Sequence, residues 1–249
     1  MGVALVTGGS RRIGAEICRT LAQSGHSVII HYYNSEDSAK SLAEELNKIS
    51  KAATIKANLD NTHEVQLLFE NASKIFGQIN ILINNASLFE YDTIGSLDCN
   101  LFNQSIAINT LAPLILCEEL SKQPNLVDGC IVNILDNKLQ NPNPDYLSYT
   151  TSKVALGGLI ESLAIGLAPS TRVNGIAPGL ILPSPHASIS DFEEVHDSTP
   201  LERGATAQDI ADAVVFLVNA KGVTGQVIFV DGGERFNRRD RDVLYERGE

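Results

Sequence analysis

At 249 residues, 43% apolar and 20% charged, the chain is sized for one α/β domain with a substantial core, and nothing in its composition asks for a second. A formal net charge of −11 argues against a nucleic-acid partner, because binding a phosphate backbone draws on clustered Lys and Arg. No apolar run approaches the roughly 18 residues that span a bilayer, so no membrane partner is expected, and an anionic ligand must be held locally by arginines and backbone N–H groups.

The chain opens "MGVALVTGG", with no basic leader and a strand almost at once, so no export is expected. From there β-branched runs alternate with amphipathic stretches. Strands are predicted in "VALVTG" (3–8), "SVIIHY" (27–32), "ATIKAN" (53–58), "INILINNA" (79–86), "GCIVNIL" (129–135), "RVNGIAPG" (172–179) and "QVIFVDGG" (226–233). Between the first two, "RIGAEICRTLAQSG" carries Ile13, Ile17 and Leu21 at helical spacing and stops on Gly25. The stretches 35–49, 62–76, 100–122, 147–168 and 206–220 read the same way, with Thr62 as a candidate N-cap and Val65 and Leu68 facing inward. Cys18, Cys99, Cys117 and Cys130 show neither CxxC spacing nor metal-ligand grouping; they are expected as buried reduced thiols, with no metal and a cytoplasmic location.

Near-continuous apolar strands alternating with helices imply a doubly wound parallel sheet covered on both faces. Such sheets bind ligands at the carboxyl ends of their strands. That edge collects the unusual residues: "TGGSRRIG" after the first strand, "NNAS" in the fourth, "ILDN" after the fifth and "APG" after the sixth. One domain is expected over 1–233, with a Pro- and Ser-rich substrate flap at about 180–200 and a charged tail over 234–249.

In "YTTSK", Tyr149 and Lys153 stand at i and i+4 on one helical face. An ammonium beside a phenol stabilises the phenolate and lowers the tyrosine pKa toward a value useful for proton transfer. The wider pattern is a Gly-rich turn after strand one, "NNA" at 84–86, Asn109 in "INTLAP", Tyr-xxx-Lys after strand five, "PG" at 178–179 and a terminal "DGG". In order and spacing it resembles the short-chain dehydrogenase/reductase family over residues 3 to 233.

The resemblance implies a single-domain Rossmann-type α/β fold and reversible hydride transfer between a nicotinamide cofactor and a carbonyl, alcohol or imine. Tyr149 is then the proton donor or acceptor, Lys153 holds the nicotinamide ribose and tunes Tyr149, and Asn109 helps fix a proton-relay water. Thr7, Gly8, Ile13 and Gly14 fall on the phosphate turn. Asn85 and Ala86 line the cofactor channel, and Ser87, Pro178 and Gly179 are counted with the cofactor-binding residues. Members are usually tetramers, so a homotetramer is implied as well.

Two departures from the family pattern are informative. Leu135 and Asp136 stand where the family usually places a pair of serines, Asp136 thirteen positions before Tyr149. An ionised carboxylate cannot donate a hydrogen bond to a carbonyl, but it suits a heterocycle that presents N–H donors, such as the amidine edge of a pterin. Arg12 replaces the middle glycine of the turn. With Ser87 and Phe89 in "NNASLF" and with "HYYNS" at 31–35, the pattern resembles the pteridine and dihydromonapterin reductases. In that subgroup the loop arginine bridges pyrophosphate and pterin, and an aromatic matching Phe89 stacks the ring. A substrate site of Arg12, Ser87, Phe89, Asp136, Tyr149 and Leu180 follows, in which either Tyr149 and Asp136, aided by Lys153 and water, supply the proton, or water protonates the adjacent ring nitrogen with Arg12 shaping the site.

Strand two ends without the acid that would accept from the adenosine ribose, while Arg11 and Ser35, with His31 as a further candidate, are expected to meet a 2′-phosphate, so NADPH is favoured. Tyr32 is counted with this end of the site, and Asn58 and Leu59 are assigned to the adenine. The expected activity is NADPH-dependent reduction of a pterin such as dihydromonapterin or dihydrobiopterin. The alternatives are a ketoacyl carrier-protein reductase or small alcohol or sugar dehydrogenase, and a nicotinamide-sensing protein without turnover. The tail "ERFNRRDRDVLYERGE" alternates charge and reads as a solvated or frayed terminus; by the resemblance, Arg235 or Arg238 in it would instead reach a neighbouring subunit's active site.

Overall fold

The computed structural model describes residues 2–182, 192, 196–242 and 245. Among them, seven parallel strands form one sheet: β1 (Val3–Val6), β2 (Ser27–Tyr32), β3 (Ala52–Lys56), β4 (Ile79–Asn84), β5 (Gly129–Ile134), β6 (Thr171–Pro178) and β7 (Val227–Val230). Their spatial order is β3-β2-β1-β4-β5-β6-β7. The order reverses between β1 and β4, and at such a switch point the flanking connections leave in opposite directions and open a crevice at the strands' carboxyl ends.

The pleat explains the two-faced core. Ala4 and Val6 of β1, Ile81 and Ile83 of β4, and Cys130, Val132 and Ile134 of β5 enter one apolar cluster. The alternate residues Leu5, Leu82 and Ile131 enter the other. The first cluster is closed by α1 (Arg12–Gln23), α2 (Glu36–Leu46) and α8 (Ala207–Asn219). The second is closed by α3 (Thr62–Phe76), α5 (Ala112–Ser121), α6 (Leu147–Gly158) and α7 (Ile160–Leu167). Each buried Leu or Ile contributes roughly 1.5–3 kcal/mol by leaving water, so both faces are needed to hold a sheet that is apolar on each side.

The sequence differs from the structure in several local details. Asn61, not Thr62, caps α3; its side chain accepts from the N–H groups of His63 and Glu64, one residue earlier than the pattern suggested. The predicted helix 100–122 is α4 (Cys99–Ile106) and α5 joined by a π-helical turn over Ala107–Leu111. Cys18, Cys117 and Cys130 are buried, but Cys99 opens α4 on the surface and is exposed, which corrects the expectation of four buried thiols. Of the flap expected over 180–200, residues 183–191 and 193–195 lie outside the described residues. Among the described residues no helix is long and apolar enough to cross a membrane, and no His, Cys, Asp or Glu group could hold a metal ion.

Candidate active site

The turn after β1 is built from backbone. Gly8 takes φ +59°, and a Cβ there would press on Ala86. A Cβ on Gly14 would run into the Gly8 carbonyl oxygen, so the start of α1 closes on the turn only with glycine at both places. Thr7 ties the turn to the end of β4: its hydroxyl accepts from the N–H groups of Asn85 (2.9 Å) and Ala86 (3.1 Å). Asn85 Nδ2 in turn donates to the carbonyls of Thr7 (2.9 Å) and Gly8 (3.1 Å). Arg12, the first residue of α1, has φ +51°, a left-handed conformation that costs an L-residue roughly 1 kcal/mol and a glycine nothing.

One cleft, of about 680 Å³, runs from this turn past Tyr33, Asn34, Ser35, Asn58 and Leu59. A second, of about 550 Å³, runs from the turn to Asp136 and Tyr149. Arg12, Ile13, Asn85, Ser87 and Leu88 line both, so the clefts meet over the glycine turn. A glycine-only turn at a helix N-terminus, flanked by an elongated cleft, fits a dinucleotide whose pyrophosphate needs close backbone approach.

Two residues expected at the adenosine end act differently. His31 is buried; its Nδ1 accepts from the Gly8 N–H (3.1 Å) and its Nε2 donates to the Ala57 carbonyl (3.1 Å). Burial pushes its pKa down to about 4, so the neutral ring braces the turn and has no spare N–H for a 2′-phosphate. Tyr32 is packed in the core, and Tyr33 takes its place along the cleft. Arg11 and Ser35 do line the cleft, with Arg11 Nε donating to Ser38 (3.1 Å) and the Ser35 and Ser10 hydroxyls 2.6 Å apart. Asn58 lines the cleft, and its Oδ1 already accepts from the Asp60 N–H (3.1 Å).

At the other end, Tyr149 donates its hydroxyl to Asp136 Oδ2 at 2.6 Å. The second oxygen of Asp136 accepts from the Lys138 N–H (2.9 Å) and caps the short 3-10 turn Asn137–Leu139, so the carboxylate is fixed from both sides. Lys153 donates to the Ile134 carbonyl (2.8 Å), with its ammonium 5.8 Å from the Tyr149 ring centre. Burial, then the charge and hydrogen bond of Asp136, raise the Tyr149 pKa well above that of a free phenol. Burial lowers Lys153 to about 8. The expectation that Lys153 makes Tyr149 acidic is therefore corrected. Asp136 is the nearer charge, it is negative, and it holds the phenol protonated.

Asn109 sits in the π-helical turn, fully buried. Its Oδ1 accepts from the Leu88 N–H (2.7 Å), and its Nδ2 donates to the Leu88 carbonyl (2.9 Å) and the Ser152 hydroxyl (2.9 Å). The amide thus clamps the segment after β4 to the tyrosine helix and has little left to hold a water. That segment carries Ser87, which is exposed, and Phe89, which lines the cleft. Phe89 stacks on Tyr146 (4.1 Å between centroids, 16°) and meets Tyr149 edge-on (4.6 Å, 88°). Tyr146 itself is in a left-handed conformation at the start of α6. Pro178, Gly179 and Leu180 line the same cleft, the Leu180 N–H donating to Glu234 Oε2 (2.7 Å).

The sequence did not reveal how much of the substrate cleft comes from elsewhere. Lys138, Asn141 and Asn143 follow Asp136 without any motif, while Glu234, Arg239 and Asp242 arrive from the chain's far end. Lys138 pairs with Asp242 at 2.8 Å, both side chains nearly buried. Over its described residues the tail is therefore docked, which corrects the expectation of a frayed terminus. Arg235 is held by Asp231 and lies against Phe229 and Phe236, away from the clefts, and Arg238 is exposed and lines neither. Only the alternating charge of the tail hinted at this arrangement.

Residues 8–234 match a family model described as Enoyl-(acyl carrier protein) reductase. Pteridine reductase 1 of Leishmania tarentolae is 30% identical over 280 positions, covering 95% of this chain and 97% of its own. A 3-oxoacyl-(acyl-carrier-protein) reductase, FabG of Staphylococcus epidermidis, is 32% identical over 247 positions, covering 92% and 97%. Among solved structures, FolM alternative dihydrofolate reductase 1 from Brucella canis, complexed with NADP, superposes with a TM-score of 0.89 at 38% identity, over 95% of each chain.

Proposed function

The chain belongs to the short-chain dehydrogenase/reductase family, and from that premise we propose that it is an NADPH-dependent reductase of a dihydropterin such as dihydromonapterin or dihydrobiopterin. The observation that carries this reading is the Tyr149–Asp136 hydrogen bond in a cleft shared with Arg12 and Phe89. A flat, amidine-bearing ring finds there a carboxylate for its N–H donors, an aromatic face and a cation.

The residues that would hold the dinucleotide are Gly8 and Gly14 at its pyrophosphate, Arg11 and Ser35 at its 2′-phosphate, Asn58 and Leu59 at its adenine, and Asn85, Ala86, Lys153, Pro178 and Gly179 toward its nicotinamide. When bound, NADPH supplies hydride to a ring carbon of the substrate. Tyr149, held as a neutral phenol, is in the protonation state that reduction requires of a donor. Asp136 orients that hydroxyl and accepts from the substrate. Below about pH 8 Lys153 adds a positive charge that offsets the negative charge left on the phenol oxygen as the proton departs. Phe89 gives the ring a face, and Asn109 sets the height of Phe89 by fixing Leu88. That Arg12 lines both clefts supports the reading in which its one planar fork would serve a pyrophosphate oxygen and a ring acceptor together.

The similarity to a ketoacyl reductase supports a second reading, reduction of a ketoacyl group. Asp136 weighs against it, because a carboxylate that already accepts from Tyr149 cannot polarise a ketone. The deciding experiment follows NADPH oxidation against dihydropterins, ketoacyl thioesters and sugars. Turnover of a dihydropterin alone is expected; turnover confined to ketoacyl substrates would reverse the assignment, and NADPH binding without any oxidation would favour a sensor.

A further inference from the structure

Residues 237–242 return to the loop that precedes α6, in the same chain. Asn141 Nδ2 donates to the Asn237 carbonyl (2.9 Å), and Lys138 pairs with Asp242. Between these ties lies Asp145, wholly buried four residues before Tyr149. Its carboxylate accepts both arms of the Arg241 fork, Nε and Nη2 at 2.9 Å each, and the Asp242 N–H at 2.7 Å. A buried carboxylate is costly unless charges and donors surround it, and here three of its four donors come from the tail, the fourth being the Tyr91 hydroxyl at 3.2 Å. The loop is thus built to receive the tail. Burial works against the charge of Asp145, but the Arg241 fork and the Asp242 N–H more than compensate and hold its pKa below that of a free carboxyl.

The geometry points to the chain's own C-terminal segment as a permanent wall of its substrate cleft, anchored by Arg241 on Asp145, in which Asp242, held by Lys138, selects a substrate bearing a hydroxylated side chain. The selection follows from the lining. Lys138, Asn141, Asn143, Arg239 and Asp242 all line the cleft and none of them is apolar, with Lys138 tied to both Asp242 (2.8 Å) and Asn143 (3.2 Å). An acyl chain there would strip water from polar groups and return no hydrogen bonds. A neutral hydroxylated substituent donates to Asp242, while Lys138, whose three N–H groups already go to Asp242, Asn143 and the Asp145 carbonyl, keeps that carboxylate charged and in place. This part rests on the pterin reading, since it assumes a flat ring placed by Phe89 and Asp136; docking of the tail does not.

Two measurements separate the parts. Limited trypsin digestion of the full-length protein reports docking without any substrate. The wild type is expected to keep its tail at least about tenfold longer than Arg241→Ala, with Arg241→Lys in between, because loss of the bidentate fork frees the arginine-rich segment. Equal cleavage of wild type and Arg241→Ala would overturn the docked wall. Steady-state kinetics then compare 7,8-dihydrobiopterin, which carries a dihydroxylated side chain, with 6-methyl-7,8-dihydropterin, which does not. The wild type is expected to prefer the first by about tenfold in kcat/KM, and Arg241→Ala and Asp242→Ala to lose that preference through KM, as when a site's polar groups lose their partner. NADPH affinity, read in parallel, should stay near that of the wild type in both variants, while Arg241→Ala should melt lower because it strips buried Asp145 of its charged partner. A preference that survives both substitutions refutes the selective role. A wild type that turns over neither pterin refutes the pterin reading and the hydroxyl selection together, while the trypsin comparison still upholds or overturns the wall.

Discussion

The two halves of the active cleft are made in different ways. The cofactor half is backbone: a turn that only glycine closes at Gly8 and Gly14, cross-tied by Thr7, Asn85 and a neutral His31, all within one residue of strands that are neighbours in the sheet. The substrate half is side chains brought from remote places: Arg12 from the turn, Phe89 from a loop, Asp136 and Lys138 from beyond β5, Tyr149 from α6 and Asp242 from the tail. A site made of backbone constrains the sequence tightly and locally. A site made of converging side chains leaves each segment free to vary so long as the fold returns it to the same place.

Substitutions should therefore separate the halves. The largest effect is expected for Tyr149→Phe, which removes the proposed proton donor and leaves the ring: kcat should fall about 10³-fold with NADPH affinity within about twofold, and an active variant would remove Tyr149 from the chemistry. Gly14→Ala should act on the other half. With the Gly8 carbonyl in the way, stability should drop by roughly 2–3 kcal/mol in denaturant melts and NADPH binding should weaken in proportion, whereas a neutral result would show that the turn can yield.

Asp136→Asn should cost about tenfold in kcat and shift a titration in a stated direction. Burial and the negative charge of Asp136 raise the Tyr149 pKa, so removing the charge must lower it, and tyrosinate absorbance should appear at lower pH than in the wild type. An unchanged titration would mean that burial alone keeps the phenol protonated. Lys153 offers a test with two signs. Its folded-state pKa is near 8, against about 10.5 for an exposed lysine, so between those values the unfolded chain binds the extra proton and stability should rise with pH. Cofactor affinity should fall over the same interval as the ammonium is lost, and Lys153→Met should flatten both slopes.

The smallest effect concerns the residue shared by the two halves. At an ordinary first helical position alanine is favoured over glycine, but at φ +51° the order should invert, making Arg12→Gly more stable than Arg12→Ala by about 1 kcal/mol. Both should lose pterin turnover. The native arginine then accepts a strained backbone in order to keep a cation at the junction, and equal stabilities would show that the turn relaxes around it.

Much of the fold was legible because it is local. Alternating apolar residues in β1, β4 and β5 specify two covered faces, and helices between consecutive strands leave room only for parallel pairing. Tyr149, Lys153 and the glycine turn were legible for the same reason, being short motifs tied to element ends. The sequence misled where a residue's character depends on its neighbours. Tyr149 and Lys153 are one helical turn apart, yet the nearer charge to the phenol is Asp136, from another segment. His31 looked like a phosphate ligand until Gly8 and Ala57 took both of its nitrogens. Asn109 looked like a water holder until Leu88 and Ser152 occupied its amide.

By itself, the sequence determined the sheet and singled out the candidate site at the strands' carboxyl ends and Tyr149 within it, since each follows from periodicity or from spacing within a single element. Tertiary structure alone decided the ionisation of that tyrosine and the docking of the tail against the cleft. Protonation depends on burial and on distances between charges remote in the chain. The wall depends on Arg241 and Asp242 reaching Asp145 and Lys138 from about a hundred residues away, which no local pattern encodes.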